Sequence, residues 1–372
     1  MNPLRLAVIG AGRLGGFHAQ KAAAREDIAL IGVADPVAAQ RKRVAAQCGC
    51  HAVEDYRELI PEIDAAVVAA PTAHHHRIGL ELLAGGVHVL MEKPLALTSQ
   101  DAWELVQAAK AGRVVLQVGH VERFNPAFSG SVEHLHDAKY IEAVRASGFT
   151  FRSLDVGVVL DLMIHDIDLV LSLVRSPVRR IDAVGFSVVG GHEDVAAARL
   201  EFENGAVASL NASRVSREPV RRMSVWTSQA YSSIDFAARE TAIIRPSRML
   251  QQRQFDAENL TAEEIDHYRE RFLDEHLPYK TLRAEGIDAL AAELNDFVES
   301  LRMPRQPRVT GEHGAEAVEV AEQVLAEIDS HQWDGRADGA VGPHGLQHPN
   351  IIPGPHWKMA PSRAPLQHKE AG

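Results

Sequence analysis

The glycine-rich run Gly10-Ala-Gly12-Arg13-Leu14-Gly15 constrains the fold of this chain more than any other feature. It follows an apolar segment directly and opens a helical pattern. Gly10 permits a tight turn, Gly12 lets the backbone approach a pyrophosphate, and Gly15 lets a helix pack closely on a strand. The spacing is therefore typical of a dinucleotide-binding turn, in which the N–H groups of the helix N terminus face the phosphates.

The first 120 residues repeat this alternation of apolar run and helical pattern. The apolar runs lie at 6–9, 29–34, 65–69, 87–91 and 114–118, and the helical patterns at 14–24, 37–47, 77–83 and 99–111. Continuous apolar strands that alternate with helices predict a parallel sheet buried on both faces. We therefore predict an α/β protein that begins with a doubly wound Rossmann domain over residues 1–122.

After residue 122 the pattern changes from alternation to consecutive strands. A helix near 159–174 is followed by segments of β character at 181–189, 196–203, 206–213, 220–227 and 231–236, with the hairpin signal Asn204-Gly205 between two of them. Because short turns join antiparallel strands, we predict an α+β domain over residues 123–330 with a mostly antiparallel sheet. Helices near 282–301 and 315–329 end it, and the charged stretch 250–281 receives no assignment.

Composition narrows the class of protein. With 46% hydrophobic and 24% charged residues, the chain is typical of a soluble globular protein. It has no apolar run of the roughly 20 residues that a membrane span needs, so we expect no membrane partner. We expect no signal peptide, because Leu4–Gly10 leads directly into the first predicted strand with one basic residue near the start. The net charge of −11 argues against a nucleic-acid partner.

The cysteines and the C-terminal tail carry no predicted chemistry. Cys48 and Cys50 do not form a disulfide framework, which fits a reducing, cytoplasmic compartment. With His51 they resemble part of a zinc site, but no second ligand cluster follows at a usable spacing, so we predict no metal site. Residues 331–372 are rich in Gly, Pro and His without periodicity and are predicted to be a disordered tail.

An acidic residue stands where the adenosine ribose of a dinucleotide would bind. Asp35 ends the second predicted strand, twenty residues after Gly15. Its carboxylate could accept hydrogen bonds from both ribose hydroxyls and would repel the 2′-phosphate of NADP, which favours NAD. Two alternatives stay open, because Asp35 could instead cap the next helix, and Arg41 and Arg43 could accommodate a phosphate.

Two clusters suggest catalytic chemistry. Glu92-Lys93-Pro94 follows an apolar strand, whose carboxyl end would face the ligand crevice, although an exposed loop lysine is the alternative. Asp161 and His165 stand at i and i+4 of a predicted helix, so a buried Asp161 could hold the imidazole and raise its proton affinity. A structural Asp–His pair is equally compatible, and Asp168 is a rival for the role of the acid.

Taken in order, these motifs resemble the motif series of the Gfo/Idh/MocA oxidoreductase family over about residues 4–330. The resemblance rests on Gly10–Gly15, Asp35, Pro71-Thr72-Ala73-His74-His75, Glu92-Lys93-Pro94, Asp161 and His165. It implies a Rossmann domain, a nicotinamide cofactor, and an open-faced C-terminal sheet through which homo-oligomers often form. It also implies a catalytic set and a set that lines the cofactor pocket. The catalytic set is Lys93, Asp161 and His165, and the cofactor set is Pro71, Thr72, His75 and Glu92.

Two further segments resemble one subgroup of the family, the bacterial UDP-N-acetylglucosamine 3-dehydrogenases. They are Gly119–Pro126, which contains Arg123 and Asn125, and Asp155–Asp168. The resemblance implies NAD-dependent oxidation of a sugar hydroxyl to a ketone, at C3 of a UDP-N-acetylhexosamine in a lipid A or cell-surface amino-sugar pathway. Arg123 and Asn125 would contact the sugar nucleotide, or else form a hinge between the domains.

The implied mechanism leaves two choices open. His165 would accept the hydroxyl proton while Lys93 stabilises the developing alkoxide, or Lys93 with a depressed pKa would itself be the base. Two other activities within the family are alternatives: oxidation of a polyol or free sugar, and glycoside hydrolysis with retained NAD.

Overall fold

The computed structural model of the chain describes residues 2–151, 155–283, 286–334 and 339–345. The first domain is a six-stranded parallel sheet with the strand order β3-β2-β1-β4-β5-β6. Its elements are β1 (Leu4–Ile9), α1 (Arg13–Ala23), β2 (Ile28–Ala34), α2 (Ala38–Cys48), β3 (His51–Val53), β4 (Ala65–Val68), α3 (His75–Ala84), β5 (His88–Glu92), α4 (Ser99–Gly112) and β6 (Leu116–Gly119). This order is that of the Rossmann fold, so the predicted parallel sheet is confirmed.

The two faces of this sheet enter separate cores. Val8 and Leu90 are fully buried in a core that includes residues of α1 and α2. Ile9 and Met91, one residue further along the same strands, are buried with residues of α3 and α4. Successive residues of a strand point to opposite faces, which is why the strands read as continuous apolar runs.

The second domain contains an eight-stranded sheet in the order β14-β13-β12-β11-β7-β10-β9-β8. Its elements are α5 (Pro126–Ser129), β7 (Ala138–Ala146), α6 (Ile164–Val174), β8 (Val178–Phe186), β9 (Val195–Phe202), β10 (Val207–Ser213), β11 (Val220–Thr227), β12 (Tyr231–Asp235), β13 (Glu240–Ile244), α7 (Arg248–Gln251), α8 (Ala262–His276), β14 (Tyr279–Arg283), α9 (Ala289–Arg302) and α10 (Gly311–Ser330). Within this second sheet every pairing between described strands is antiparallel except β7–β10, which confirms the predicted mostly antiparallel sheet.

Helices cover one face of this second sheet. Residues of α6 and α10 share a core with Ile141 and Met223, which point inward from β7 and β11. The opposite face carries a partly exposed aromatic cluster in which Trp226 lies between Tyr140 and Tyr231, with ring centroids 5.0 and 4.7 Å apart. No helix in the described part of the chain is long and apolar enough to cross a membrane.

The C-terminal helix α9 returns to the first sheet. Leu294, Phe297 and Val298 are buried in the same core as Val8 and Leu90. Next to this contact, the backbone N–H of Val118 donates to the carbonyl of Val309 at 3.1 Å. The last part of the chain therefore completes the first domain, which differs from the prediction that residues 123–330 form one separate domain.

The segment predicted to be a disordered tail begins with folded residues. The Trp333 N–H donates to the Ala340 carbonyl at 3.0 Å, and the Ser187 N–H, just after β8, donates to the Pro343 carbonyl at 2.9 Å. The Trp333 ring also packs against Phe186. The prediction is therefore wrong for 331–334 and 339–345, because an aromatic anchor and backbone hydrogen bonds fix them. The rest of the predicted tail, 335–338 and 346–372, lies outside the described residues.

Candidate active site

The glycine turn after β1 has the shape that a dinucleotide requires. A β-carbon on Gly15 would lie 1.8 Å from the Gly10 carbonyl oxygen, so only glycine allows the helix to approach the strand this closely. A β-carbon on Gly12 would meet nothing nearer than Gln40 Oε1 at 3.9 Å, which leaves the turn open to a ligand. No side chain caps α1, so its first N–H groups remain available to phosphate oxygens. These features fit a nicotinamide dinucleotide.

The Asp35 carboxylate is hydrogen bonded to the backbone of this turn. Its two oxygens accept hydrogen bonds from the backbone N–H groups of Ala11 at 2.7 Å and Val37 at 2.8 Å. The bond to Val37 closes a turn just before α2, but no side chain among the described residues caps that helix, so the capping alternative is not realised. Each carboxylate oxygen retains a further lone pair, so the predicted contact with ribose hydroxyls stays compatible with the geometry.

The two arginines that could accept a phosphate have different surroundings. Arg41 donates to the carbonyl oxygens of Asp35 and Pro36 and pairs with Glu54 at 2.9 Å. Arg43 instead lines a cavity of about 290 Å³ beside the glycine turn, together with Gly12 and Arg13. Arg43 thus lies against an open space, whereas the Arg41 guanidinium is already bonded within the protein.

The loops after β4 and β5 are joined by a buried histidine. His75 Nδ1 lies 2.8 Å from the Pro94 carbonyl oxygen, and its Nε2 lies 2.9 Å from the carbonyl oxygen of Ala70. Burial lowers the pKa of His75. The side chain thus fastens the Glu92-Lys93-Pro94 loop to the segment that holds Pro71 and the buried Thr72, which brings the predicted cofactor set to one edge of the sheet.

Glu92 belongs to a buried polar cluster with His18 and Glu293. His18 Nε2 lies 2.6 Å from Glu92 Oε1, and the Glu92 carboxylate lies against Gly119, where a β-carbon would be 2.8 Å from Oε2. Glu293, from α9, is fully buried, and neither of its carboxylate oxygens has a hydrogen-bond partner among the described residues. Burial raises the pKa of Glu293 well above its ordinary range, with the nearby Glu92 acting in the same direction.

Two groups of side chains are spaced as metal ligands would be. The ligand atoms of each group lie within 4.8 Å of one another. One group is the His18–Glu92–Glu293 cluster, and the other is the more accessible trio His76, Asp101 and Glu104. A shared proton would also compensate the charge of the buried cluster, and the raised pKa of Glu293 favours that state.

The predicted catalytic residues meet at the cleft between the domains. Lys93 Nζ donates to the backbone carbonyl of Asp161 at 2.6 Å and to its carboxylate at 3.2 Å. The two side chains are 16% and 23% exposed, so they can contact a ligand. His165 is partly exposed, and its Nδ1 is buried without a hydrogen-bond partner in the part of the chain that the structure describes.

Asp161 does not hold the His165 ring, contrary to the expectation from their spacing. Among the described hydrogen bonds none joins the two side chains, and Asp161 pairs with Lys93 instead. Residues Val159–Met163 form a π-helix ahead of α6, so the i, i+4 stacking of an α-helix does not apply here. Burial and the Lys93 ammonium lower the pKa of His165 well below its ordinary value, whereas the pairing predicted a higher one.

Arg123 and Asn125 are bonded within the protein. Arg123, which is 9% exposed, forms a bidentate ion pair with Asp168 at 2.7 and 2.9 Å. Asn125 caps α5 and donates to Glu122 and to the Phe236 carbonyl. This geometry supports the hinge alternative over the predicted substrate contact, and it gives Asp168 a partner other than His165.

The sequence analysis missed a buried arginine that supports the site. Arg145 is 4% exposed and donates to both oxygens of Asp166 at 2.8 and 2.9 Å and to Glu122 at 2.7 Å. It thereby ties β7 to the junction between the domains and to the residue after His165. The available signal is its place in β7, where Ile141, Ala143 and Arg145 share the inward face.

His18, His120 and Glu293 were also missed as site residues. A histidine three residues after Gly15 on the first helix and a glutamate within the apolar pattern of α9 are weak signals individually. Only the fold brings His18 and Glu293 together with Glu92. The assembled site can bind a dinucleotide, present an ammonium group, and offer an imidazole that is neutral at physiological pH.

The sequence of the chain is similar to those of several known proteins. Residues 4–120 match the model of an oxidoreductase family, Gfo/Idh/MocA, with an NAD-binding Rossmann fold, and residues 99–231 match that family's C-terminal domain. The UDP-N-acetylglucosamine 3-dehydrogenase of Acidithiobacillus ferrooxidans is 35% identical over 332 residues, which cover 88% of this chain and 98% of the relative. The scyllo-inositol 2-dehydrogenase (NAD(+)) of Bacillus subtilis is 29% identical over 57% of this chain and 68% of its own.

The fold of the chain is also similar to those of solved structures. That of the Acidithiobacillus ferrooxidans UDP-N-acetylglucosamine 3-dehydrogenase superimposes with a TM-score of 0.76 and 34% identity, covering 88% of this chain and 98% of that one. A levoglucosan dehydrogenase in complex with NADH superimposes with a TM-score of 0.74 at 17% identity, covering 88% and 97%. At that identity the second similarity shows the fold alone.

Proposed function

Because the chain belongs to the Gfo/Idh/MocA oxidoreductase family, we propose that it oxidises the C3 hydroxyl of UDP-N-acetylglucosamine to a ketone with NAD⁺ as hydride acceptor. The observation that carries this proposal is the similarity to a UDP-N-acetylglucosamine 3-dehydrogenase, which extends over 98% of that relative at 35% identity. The inositol dehydrogenase of Bacillus subtilis matches over a shorter part of the chain and at lower identity, which makes a polyol the second candidate substrate.

The proton chemistry is assigned to three residues. His165 accepts the proton of the substrate hydroxyl, because its lowered pKa keeps the ring neutral and able to act as a base at physiological pH. The Lys93 ammonium donates a hydrogen bond to the oxygen of the same hydroxyl and stabilises the negative charge that develops there. Asp161 is a positioning residue, since its carbonyl and carboxylate fix Lys93 Nζ.

The cofactor site is assigned to the turn after β1 and the ends of β2, β4 and β5. Gly10, Gly12, Arg13, Leu14 and Gly15 form the pyrophosphate turn. Asp35 contacts the ribose, and the segments that contain Pro71, Thr72, His75 and Glu92 line the nicotinamide end. A nicotinamide cofactor bound there supplies the hydride acceptor. We favour NAD over NADP because Asp35 would repel a 2′-phosphate. Arg41 is already paired with Glu54, which leaves Arg43, beside the open space, as the arginine that could oppose this repulsion.

The assembly and the location of the enzyme are further parts of the proposal. We propose a homo-oligomer that buries the open face of the second sheet, where the cluster of Tyr140, Trp226 and Tyr231 is partly exposed. A cytoplasmic location fits the nucleotide substrate, the nicotinamide cofactor and the two free thiols, Cys48 and Cys50.

The test is NAD⁺ reduction, followed by the absorbance of NADH, with a panel of substrates. The panel contains UDP-N-acetylglucosamine, other sugar nucleotides, free hexoses and inositols, with an aminotransferase added to remove the ketone. Turnover confined to UDP-N-acetylglucosamine is the expected result. Activity on an inositol and none on any sugar nucleotide would show that the substrate is a polyol. Hydrolysis of a glycoside without net NADH would identify the NAD-retaining hydrolase.

A further inference from the structure

Two histidine rings meet at the catalytic cleft. The ring centroids of His120, which follows β6, and His165 are 6.2 Å apart, and the rings are nearly perpendicular at 87°. His120 is 1% exposed. Within the described residues neither of its ring nitrogens has a hydrogen-bond partner, nor does Nδ1 of His165. Buried polar atoms are nearly always hydrogen bonded, so three unpartnered nitrogens in one place call for an exchangeable proton or a water between the rings.

We propose that His120 takes a proton from His165 and passes it towards solvent, so that the two rings form a proton relay. The inference rests on the function proposed above, because it concerns the proton that oxidation of a hydroxyl releases. It adds a residue to the reaction that neither the motif series nor the pairing of Lys93 with Asp161 assigns.

The step balances without a further reagent. In the oxidation the C–H and O–H bonds of the carbinol break and a C=O bond forms. The hydride goes to the nicotinamide and the proton goes to Nε2 of His165. As Nε2 gains this proton, Nδ1 releases the proton that the neutral ring already carried, either directly or through one water, to a nitrogen of His120. His165 therefore remains neutral overall, and His120 carries the charge until it loses its proton.

The charges around the two rings favour transfer in this direction. Apart from His120 itself, the charged groups with the largest effects on His165 are cations: Lys93 beyond β5, Arg145 on β7 and Arg221 on β11. His120 faces Lys93 and Arg123 as well, but it also faces two carboxylates, Glu92 at the end of β5 and Asp168 on α6. A proton is therefore repelled more strongly from His165 than from His120.

A route for the proton leads from His120 past Asp168. The charge of Asp168 acts on His120, and Asp168 is one of the residues that line a cavity of about 1,340 Å³, whereas His120, Lys93 and His165 do not line it. Exposed residues such as Arg175 and Pro177 also line this cavity, so it opens to solvent. A proton on His120 can thus leave past Asp168 into this cavity, without passing the bound substrate.

The first test replaces His120 with glutamine and compares the full-length enzymes in NAD⁺ reduction with UDP-N-acetylglucosamine. We expect kcat to fall about 100-fold with NAD⁺ affinity unchanged, since loss of a proton acceptor typically has an effect of this size. Free imidazole should restore part of the rate, and proton release, followed with a pH indicator, should lag behind NADH formation. His88→Asn is the matched control, because His88 lies on the same sheet and its Nδ1 only accepts from the Val115 N–H.

A proton inventory on the wild-type hydride-transfer step tests the relay without any variant. Two protons in flight are expected, which gives a curved dependence of rate on the deuterium content of the solvent. A linear dependence overturns the relay, and so does a His120→Gln enzyme whose rate and pH profile match wild type. A loss of activity that imidazole does not restore, with no lag in proton release, also overturns it and assigns His120 a structural role. If wild type reduces no NAD⁺ with any hydroxyl substrate, the proposed function fails first.

Discussion

At the scale of single residues, the position of Lys93 is set by two oxygens of one residue. The backbone carbonyl and the carboxylate of Asp161 both accept from Nζ, at 2.6 and 3.2 Å. Two acceptors fix the direction of a flexible side chain that otherwise has many rotamers. The third ammonium hydrogen is then free for the substrate oxygen, which is why Lys93 suits the role of alkoxide stabiliser.

Replacement of Lys93 by methionine should abolish turnover and leave the protein folded. Methionine keeps the length of the side chain but cannot donate a hydrogen bond to the developing alkoxide. We expect kcat to fall by at least about 100-fold, with the NAD⁺ dissociation constant, measured by fluorescence titration, nearly unchanged. Lys110→Met is the control, because Lys110 pairs with Glu312 on the surface. Full activity of Lys93→Met would remove this residue from the mechanism.

Glu293 should make the protein less stable as the pH rises. Burial holds its pKa well above the ordinary value of 4.5, so above that value the folded protein keeps a proton that the unfolded chain releases. The stability that this proton provides is complete at low pH and declines by about 1.4 kcal/mol per pH unit until the folded pKa is reached.

Glu293→Gln should remove this decline and be more stable than wild type at neutral and alkaline pH, because glutamine has no proton to release. Urea unfolding of both proteins across the pH range measures the difference. The exposed Glu62→Gln provides the control, since it should leave the pH dependence as it is in wild type. Equal slopes for wild type and Glu293→Gln would show that Glu293 is ionised in the folded protein, as a bound cation would require.

At the scale of elements, a short π-helix sets the position of Asp161, the residue proposed to position Lys93. The segment Val159–Met163 joins the loop before it to α6. Glu193, which is 4% exposed, holds its first turn: Val159 N–H donates to its carboxylate at 3.0 Å, and Val158 N–H donates to its backbone carbonyl at 2.9 Å. Asp161 lies within this segment, so its contact with Lys93 depends on Glu193.

Glu193→Ala should therefore weaken catalysis from a distance. The Val159 N–H would lose its acceptor, and we expect a loss of about 1–3 kcal/mol in the free energy of unfolding. A shifted Asp161 should lower kcat/KM about 10-fold, because small errors of position are costly in catalysis. Glu193→Gln retains an acceptor oxygen and should recover most of the rate. An alanine variant with normal kcat/KM would show that other contacts fix the π-helix.

Regular elements were predictable from the sequence, and those whose partners lie far away in the chain were not. The helices of the first domain and every strand of its sheet except β3 followed from apolar periodicity. The three residues of β3, His51–Val53, are mostly exposed and carry no such signal. By contrast β7 was missed, because the inward Arg145 breaks its apolar pattern and is compensated only by Glu122 and Asp166. Likewise the order of motifs predicted Lys93, Asp161 and His165 as the catalytic set, but no local pattern specifies the π-helix that pairs Asp161 with Lys93.

At the scale of the whole molecule, the two domains share a core. Phe297 of α9 is fully buried among residues of the first sheet, although it lies more than 170 residues beyond that sheet in the chain. The cofactor domain and the C-terminal helices should therefore unfold together.

Phe297→Ala tests this coupling. We expect the loss of about 3–5 kcal/mol in the free energy of unfolding that removal of a buried aromatic ring produces, in a single cooperative transition. Urea unfolding followed by circular dichroism measures it, and Leu273→Ala, at a side chain that is 67% exposed, is the control. Two separate transitions would show that α9 is not part of the first folding unit.

The open face of the second sheet should determine the oligomeric state. Trp226 lies at the centre of its aromatic cluster, so Trp226→Asp would place a charge in any interface formed there. We expect light scattering to give a lower mass for this variant than for wild type, with NAD⁺ binding retained. Gln47→Asp, on the exposed side of α2, should keep the wild-type mass. An unchanged mass for Trp226→Asp would place the interface elsewhere.

The return of α9 to the first sheet also has a consequence for biosynthesis. When the ribosome has synthesised β6, the apolar face that later receives Leu294, Phe297 and Val298 has no cover. At about 5–20 residues per second, the missing helix emerges roughly 10–40 s later. During that interval the nascent chain exposes an apolar surface of the kind that chaperones bind. The yield of folded enzyme should therefore depend on the supply of chaperones, and not only on the thermodynamic stability of the folded protein.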